Sequence, residues 1–388
     1  RYVSPRLIIA THEQMFSEFE RRYGAELPEV RGDFTPYWED GAASTASETA
    51  LNRHAVDRLI QGEALWSMLA PGAYPAAEYD SAWKNAVLWD EHTWGAGNSI
   101  SEPDDPGVKG EWKIKQHFVL EADSLSRILA GEAVQAASGA NHRAQSTSSG
   151  RRMIDIYNTS SRARTDIVLL SPEESGRGNL VVDERGRHVP SQRLSTGELA
   201  LLAQYIPPMS AKRFLIKSGR AWERGDVTAS ADSLSNALLS LSVDPRTGSV
   251  VKLHWKKSAT QFVDPIKGMG LNDYLYVPGT TPDSQQRVSN VRVKIKERGP
   301  LLGSFSIEAD APGCGRYESE IRLVSGIARV EIIDRMEKLP VRDKEGVHIA
   351  FPFNVPNGRI RYDVANAFVE PEQDQLAGSC RNFFSVQG

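Results

Sequence analysis

The hydrophobic period of this chain changes once, and that change is the strongest constraint on its fold. Up to about residue 135 apolar side chains recur at helical spacing, whereas from residue 150 onward short segments alternate between apolar and polar residues, as strands do. The segment between them, VQAASGANHRAQSTSSG at 134–150, is polar, rich in small residues and typical of a linker or long loop. The sequence therefore predicts an α+β multidomain chain, helical first and antiparallel β afterwards.

Helical spacing and start signals predict four helices before this linker. Their ranges are 11–24, 45–68, 78–91 and 111–130. Capping boxes formed by Thr11 with Gln14 and by Thr45 with Glu48 open the first two helices. We expect the three longer helices to pack as an antiparallel bundle, and the apolar run RLIIAT at 6–11 to form a short buried strand before the first helix.

The second part of the chain has the alternation and the turn residues of antiparallel strands. The sequence DPRTGS at 244–249 is typical of a hairpin turn between two alternating strands. The strand signal continues for much longer than one small sandwich requires. It therefore predicts a small β-sandwich followed by a large one made of two stacked sheets.

Charge and missing motifs exclude several classes of protein. The formal net charge is −4 with 25% charged residues, which gives no support for binding nucleic acid or an anionic membrane. The sequence has no long apolar run, phosphate-binding loop, dinucleotide fingerprint, nucleophile elbow or H-E-x-x-H motif, which disfavours membrane-spanning proteins, kinases, dehydrogenases, common lipases and zincin proteases. Cys314 and Cys380 leave one disulfide or two free thiols as open alternatives. The remaining groups are carboxylates, histidines and aromatic side chains, the usual set for carbohydrate chemistry.

The stretch AVLWDEHTWGAGNS at 86–99 places three metal-capable side chains in a row where a helix gives way to glycine. Helical spacing from Tyr79 puts Asp90 at the end of a buried face, and Glu91 and His92 follow. On pattern alone, an acid and a histidine at a helix end are more often a cap than a metal site. The flanking tryptophans are likewise more often core residues than sugar platforms.

A second stretch, EVRGDFTPYWEDGAASTASETALNR at 29–53, changes the balance between these interpretations. It places Asp33 and Asp40 among aromatic residues that include Trp38, just before a long helix that bears Arg53. Carboxyl groups among aromatic side chains are where a pKa can be raised enough for general acid catalysis. The alternative is a helix-entry loop whose acids favour the helix N-terminus. The stretch alone leaves these two interpretations about even.

Taken together, the segments resemble glycoside hydrolase family 38, the zinc-dependent α-mannosidases. RGDF at 31–34, followed by an aromatic-rich turn and a long helix that bears Arg53, is similar to the family's Gly-Asp-Phe segment. DEHTWGAGNS at 90–99 resembles the family's His-containing turn. The segment at 236–264 is similar to the opening hairpin of the family's large sandwich. One departure is that Glu91 stands where the family often has His or Phe, which places this chain in an outlying bacterial-type branch.

The resemblance implies roles for residues at the matching positions. His92 corresponds to the metal-binding histidine that the bundle supplies, and zinc is the implied metal. Asp33 corresponds to the acid placed as general acid/base or sugar-contacting group, and Asp40 is its local rival. The implied substrate-binding residues are Trp38, Asp90, Glu91 and Trp94. The implied reaction is hydrolysis of α-mannoside-like bonds by a zinc-assisted mechanism that uses two carboxylates.

The resemblance also implies a domain order and further parts outside this chain. The expected domains are the last strand and helix of a β/α barrel at 1–28, a three-helix bundle at 29–135, a small sandwich at 150–217 and a galactose-mutarotase (supersandwich) domain at 232–388. The other zinc ligands and the nucleophile belong to the barrel, and none of the 8 histidines here begins the family's His-x-Asp motif. We therefore expect an internal portion of a longer enzyme, inactive alone.

Two functions remain open on this evidence. One is the enzyme portion just described, acting on a mannoside-type carbohydrate without nucleic-acid or membrane partners. The other is a non-catalytic carbohydrate-binding or structural protein that shares the bundle and sandwich domains. Without a barrel, we expect apolar surface around Trp83 and Trp89 to be exposed, which favours a homo-oligomer.

Overall fold

The computed structural model describes most of the chain. The described residues are 8–32, 45–91, 98–99, 101–137, 152–258, 260–264, 268–364, 367–371 and 373–379. They divide into two compact units, one within Arg1–Ala50, Leu88–His117 and Arg359–Gly388, the other within Leu51–Val87 and Phe118–Gly358. Long helices precede residue 138, and the described strands after it pair antiparallel in several sheets, so the predicted α+β multidomain class is confirmed.

Four helices lie before the predicted linker. They are α1 His12–Tyr23, α2 Ala46–Leu69, α3 Ala76–Asp90 and α4 Pro106–Ala137, with 3₁₀ turns at Gly24–Glu26 and Pro71–Ala73. The first predicted capping box is confirmed, because the Thr11 hydroxyl accepts from Gln14 N–H at 3.3 Å and the Gln14 carbonyl oxygen accepts from Thr11 N–H at 3.1 Å. None of the described helices is both long and apolar enough to cross a membrane.

The buried strand predicted at 6–11 is wrong for its described residues. Residues 8–11 have no strand pairing, and Ile8 and Ile9 are exposed. The following helix α1 also has no buried residue. A strand is stable only when its backbone groups pair with a neighbouring strand and its apolar face is covered, and the described part of the chain provides neither here.

Helices α2, α3 and α4 share a core through small side chains. In the unit that contains residues 51–87, Leu59, Tyr79 and Leu129 belong to one apolar cluster, and Ala55, Ala86 and Ala122 form another. The buried positions of α2 are 52, 55, 59, 62, 65 and 66, so successive turns of the helix bury a residue every three or four positions. Such alternation keeps one seam facing the neighbouring helices, and alanine at the seam allows the helices to approach closely.

The first eleven strands in chain order form three sheets, two in the small sandwich and one in the larger β region. They are β1 Arg152–Asn158, β2 Arg164–Leu170, β3 Leu180–Asp183, β4 His188–Val189, β5 Ser191–Arg193, β6 Leu199–Ile206, β7 Ser210–Lys217, β8 Thr228–Ala229, β9 Ser233–Ser235, β10 Leu239–Val243 and β11 Val250–Trp255, with a short helix α5 Pro172–Ser175 after β2. The sheets have the orders β1-β7-β3-β4, β2-β6-β5 and β11-β10-β9-β8. Val181, Leu201 and Phe214 lie in the apolar core between the first two sheets.

The remaining strands form three further sheets. They are β12 Asp273–Pro278, β13 Gln286–Arg287, β14 Ser289–Arg298, β15 Leu302–Asp310, β16 Cys314–Val324, β17 Val330–Lys338, β18 Glu345–Ala350, β19 Tyr362–Val364 and β20 Ala367–Val369, with a 3₁₀ turn at Pro282–Ser284. Their orders are β13-β12-β18, β14-β15-β16-β17 and β19-β20. Leu241 of β10, Phe305 of β15 and Ile321 of β16 share one core, so the sheet of β8–β11 packs on the sheet of β14–β17.

Polar contacts, one set of them buried, join the two sandwich regions. The Gln192 side chain accepts from the N–H groups of Leu301 at 3.2 Å and Leu302 at 3.0 Å and donates to the Leu302 carbonyl at 3.0 Å. Arg329 near β17 binds Asp166 of β2 at 2.7 Å. Because Gln192 is buried, its three bonds satisfy backbone groups that water does not reach.

Candidate functional site

Most of the residues predicted for the site lie outside the described residues. These are Asp33, Trp38, Asp40, His92 and Trp94, so their roles stay predictions. Asp90 and Glu91 are described, and they follow each other at the end of α3. The structure of this helix end is therefore the part of the predicted site that can be built from contacts.

The buried face of α3 ends at Trp89 and leaves Asp90 outside it. Tyr79, Ala82, Ala86 and Trp89 are each at most 1% exposed, whereas Asp90 is exposed. The expectation that Asp90 lies on the buried face is thus wrong, because the face follows spacings of three, four and three residues. The core interpretation of Trp89 is confirmed.

Neither of the two tryptophans of α3, around which exposed apolar surface was expected, is itself fully exposed. Trp89 is 0% exposed, and Trp83 is half-buried against the cluster that contains Leu59. The Trp83 indole N–H donates to the Glu63 carboxylate at 3.0 Å. Val87, between the two tryptophans on α3, is 63% exposed, so the self-association stays a prediction.

A buried lysine closes the end of α3. The Lys115 ammonium lies 3.1 Å from the Leu88 carbonyl, 3.0 Å from the Glu91 carbonyl and 3.1 Å from the Glu91 carboxylate. Its side chain is only 11% exposed. The last carbonyls of a helix lack partners within the helix and carry the negative end of its dipole, so a cation here is stabilising. Lys115 thus fixes both the main chain and the side chain of Glu91.

This arrangement limits what Glu91 can do chemically. Its carboxylate is 41% exposed and already accepts from Lys115, so a substrate hydroxyl would share that carboxylate with the ammonium. Across the described ranges, no three His, Cys, Asp or Glu side chains converge on a point that could hold a metal ion. The described residues therefore do not by themselves form a zinc site, and the position of any further ligands stays a prediction.

A pocket that the sequence did not predict opens in the small sandwich, where the β3–β4 hairpin meets β6 and β7. It encloses about 990 Å³. Val189, Leu202 and Phe214 are the buried apolar residues of its lining. Trp222 and Tyr205 supply aromatic surface.

Charged side chains surround this pocket in pairs. The Asp155 carboxylate accepts hydrogen bonds from Nε and Nη2 of Arg213, each at 2.8 Å. These bonds raise the pKa of the Arg213 guanidinium. Burial opposes the charge of Asp183, but bonds from the Arg187 backbone and side chain hold the pKa of that carboxyl below its usual value. Asp183 is therefore ionised at neutral pH, and both acids are hydrogen-bonded to arginines.

Tyr205 projects from a β-bulge at the end of β6. The register between β2 and β6 shifts between Arg164 and Asp166, and Tyr205 N–H donates to the Thr165 hydroxyl at 3.0 Å. Tyr205 has φ of 51°, and its side chain is 74% exposed. A positive φ is unfavourable for a bulky residue, and bulges commonly redirect a side chain near functional sites. The charged hairpin DERGRH at 183–188 is the one sequence signal that could have indicated this pocket.

An apolar cleft of about 430 Å³ opens in the large sandwich. Leu253 and Trp255 of β11, Ile332 of β17, Phe262 and two further phenylalanines line it. Those two, Phe351 and Phe353, stack with ring centroids 6.1 Å apart and are 47% and 56% exposed. Among the described residues, its lining is apolar and has no titratable side chain.

Comparisons with known proteins add no family assignment. No protein-family model matches the chain, and a search of curated proteins found no match. The function is therefore argued from the residues and their contacts.

Proposed function

We propose that this chain is part of a glycoside hydrolase that resembles the zinc-dependent α-mannosidases and hydrolyses α-mannoside-like bonds. The observation that carries the proposal is the anchoring of Glu91 by the buried Lys115, directly before His92 in the sequence. A residue that must hold a metal needs a fixed main chain beside it, because a loosely held ligand loses conformational entropy on binding. Within this proposal the helices form the family's bundle, and the large sandwich is of the galactose-mutarotase type.

The proposed chemistry uses two carboxyl groups and a metal. Asp33, with Asp40 as its alternative, acts as general acid/base or sugar contact, and the nucleophilic carboxylate is expected outside this chain. When bound, the zinc expected at His92 would hold sugar hydroxyls and the nucleophile in place. Trp38, Trp94, Asp90 and Glu91 are the proposed substrate contacts.

Lys115 is the positioning residue of this proposal. With its ammonium on two carbonyls and one carboxylate, it restrains Leu88 and Glu91 at the end of α3. Groups that orient a metal ligand typically change metal affinity by about 10–100-fold when they are removed. We therefore expect Lys115→Met to weaken zinc binding in the intact enzyme without abolishing it.

The test is an assay of the intact enzyme on p-nitrophenyl α-mannoside with added zinc. His92→Ala and Asp33→Asn should each lower kcat/KM by about 100-fold or more, the scale of losing a metal ligand or a general acid. His54→Ala and Asp57→Asn are matched controls, because both side chains are exposed on α2, and should leave activity unchanged. Activity that survives His92→Ala would contradict the proposed metal role.

The alternative, a non-catalytic carbohydrate-binding protein, is favoured by one observation. The pocket of the small sandwich combines the exposed Tyr205 with Trp222 and polar groups, a lining suited to sugars. An intact protein that hydrolyses no glycoside but binds one in this pocket would support the alternative.

A further inference from the structure

Two of the acids around the small-sandwich pocket, Asp183 and Asp155, have their oxygens already engaged, while Glu184 is a third acid in its lining. Asp183 accepts from Arg185 N–H at 3.0 Å, Arg187 N–H at 2.9 Å and Arg187 Nε at 2.7 Å. Asp155 gives both of its oxygens to Arg213. A carboxylate with its lone pairs occupied repels an incoming anion less effectively than a free one and offers few acceptors to a neutral ligand.

Two cations at the pocket keep donors available. Lys212 Nζ donates to one group, the Gln204 carbonyl at 2.8 Å, although an ammonium has three N–H bonds. Within the described part of the chain, Arg185 forms a hydrogen bond through its backbone N–H alone, so its guanidinium is available to a ligand. The pocket therefore offers N–H donors on both a β7 lysine and a hairpin arginine.

Aromatic surface lies beside these donors. Arg224 lies over the Trp222 ring at 5.7 Å from its centroid, and the His188 ring meets Trp222 at 5.9 Å in an edge-on arrangement. Tyr205 is held outward by its bulge, with its ring in solvent. Backbone strain of this kind persists only where the surrounding structure enforces it, and it is concentrated at binding sites.

We propose that this pocket binds an acidic saccharide, that is, a sugar whose carboxylate or sulfate group is held by Lys212 and Arg185 and whose ring lies against Tyr205 or Trp222. The volume of about 990 Å³ is at the upper end for small-molecule sites and suits a short oligosaccharide better than a single ion. The site lies in the small sandwich and does not depend on the glycosidase proposal.

Calorimetric titration of the full chain with three probes tests this inference. The probes are trigalacturonate, a sulfated disaccharide and the neutral mannotriose. We expect one or both acidic probes to bind, mannotriose to bind at least about tenfold more weakly, and added salt to weaken the acidic complexes. The acidic probe that binds more tightly then identifies the oxyanion, while binding of inorganic sulfate as tightly as either saccharide would overturn the sugar assignment.

Charge-removing variants locate the site. Lys212→Gln and Arg185→Gln should each weaken binding by about tenfold, since each removes a charge-assisted hydrogen bond. Lys252→Gln is the matched control. Lys252 is exposed on β11 of the large sandwich, and its substitution removes the same charge at a distant site. Thermal unfolding of each variant verifies folding. The proposal would be overturned if Lys252→Gln weakened binding equally. It would also be overturned if neither acidic probe bound at about 1 mM, the weak end of specific affinities.

Discussion

Gly62 of α2 and Gly131 of α4 both lie inside long helices, yet only one of them has room for a methyl group. A Cβ at Gly131 would meet no atom within 4 Å, whereas a Cβ at Gly62 would collide with the hydroxyl of Tyr79. Tyr79 is 1% exposed and stacks on Tyr74 at 4.9 Å, so it cannot swing away freely. Helix propensity favours alanine at both positions. Packing permits alanine at Gly131 but opposes it at Gly62.

We expect Gly131→Ala to stabilise the protein by about 0.5–1 kcal/mol, because alanine lowers the backbone entropy lost on helix formation. Gly62→Ala should instead destabilise it by about 1–3 kcal/mol, the usual cost of overpacking a core. Urea unfolding measures both changes. Tyr79→Phe in the Gly62→Ala background should recover part of the loss, and equal effects of the two alanines would contradict the packing argument.

Tyr79 also predicts an alkaline loss of stability. Burial, and then the charge of Glu63, raise the pKa of Tyr79 to about 12 from 10.0. A group whose pKa is raised by folding stabilises the protein fully below its unfolded pKa, and that contribution is lost as pH rises from about 10 towards 12. The free energy of unfolding should therefore fall more steeply between about pH 10 and 12 in the wild type than in Tyr79→Phe. Parallel curves would contradict this assignment.

The buried face of α3 was predictable from the sequence only to within one residue at its end. The spacing of Tyr79, Trp83 and Ala86 indicated a buried row that ended at Asp90, but the observed row ends at Trp89. A period of 3.6 drifts relative to the three-and-four spacing of packed helices, so the error grows along the helix. Lys115, whose ammonium binds carbonyls of a different helix, had no local signal at all because its partners are 24 and 27 residues away.

At the scale of elements, helix centres were predicted well and helix ends less well. The helix predicted at 78–91 is Ala76–Asp90, whereas the one predicted at 111–130 is Pro106–Ala137. The missed start is explained by Pro106 at the first helical position, with the Asp105 carboxylate accepting Gly107 N–H at 2.7 Å. The sequence EPDDPG reads as a turn, because proline and aspartate favour turns and helix starts alike.

The end of α3 yields a prediction about helix closure. Replacing Lys115 by Met keeps the buried stem but leaves the Leu88 and Glu91 carbonyls without their ammonium, so unfolding free energy should fall by about 1–3 kcal/mol. Glu91→Gln removes only the half-exposed ion-pair partner and should cost less than about 1 kcal/mol. Urea unfolding compares the two variants. A larger effect of Glu91→Gln than of Lys115→Met would show that the ion pair, and not the carbonyl contacts, closes the helix.

At the scale of the whole molecule, the single change of hydrophobic period was enough to predict the order of helices and antiparallel sheets. The joining of the sandwich regions was not predictable, because it depends on contacts between residues about a hundred positions apart in the chain. Gln192 of β5 is an example, since nothing beside it in the sequence distinguishes it from an exposed glutamine. Such contacts form only after both sandwiches have their final register.

Gln192 therefore provides the test of how the two sandwich regions depend on each other. Its amide bonds two N–H groups and one carbonyl at Leu301 and Leu302, and its side chain lies 4% exposed between β5 and β15. Gln192→Ala leaves these backbone groups buried without partners, so we expect a loss of about 2–5 kcal/mol, at the upper end for single substitutions. Gln285→Ala, at an exposed position, is the matched control and should change stability by less than about 0.5 kcal/mol. The measurement is urea unfolding followed by circular dichroism. If both variants unfold at the same urea concentration, the Gln192 contacts do not hold the sandwiches together. The coupling must then come from other contacts, such as the Arg329–Asp166 pair, the Ser195–Glu297 hydrogen bonds and the apolar contacts around Leu301.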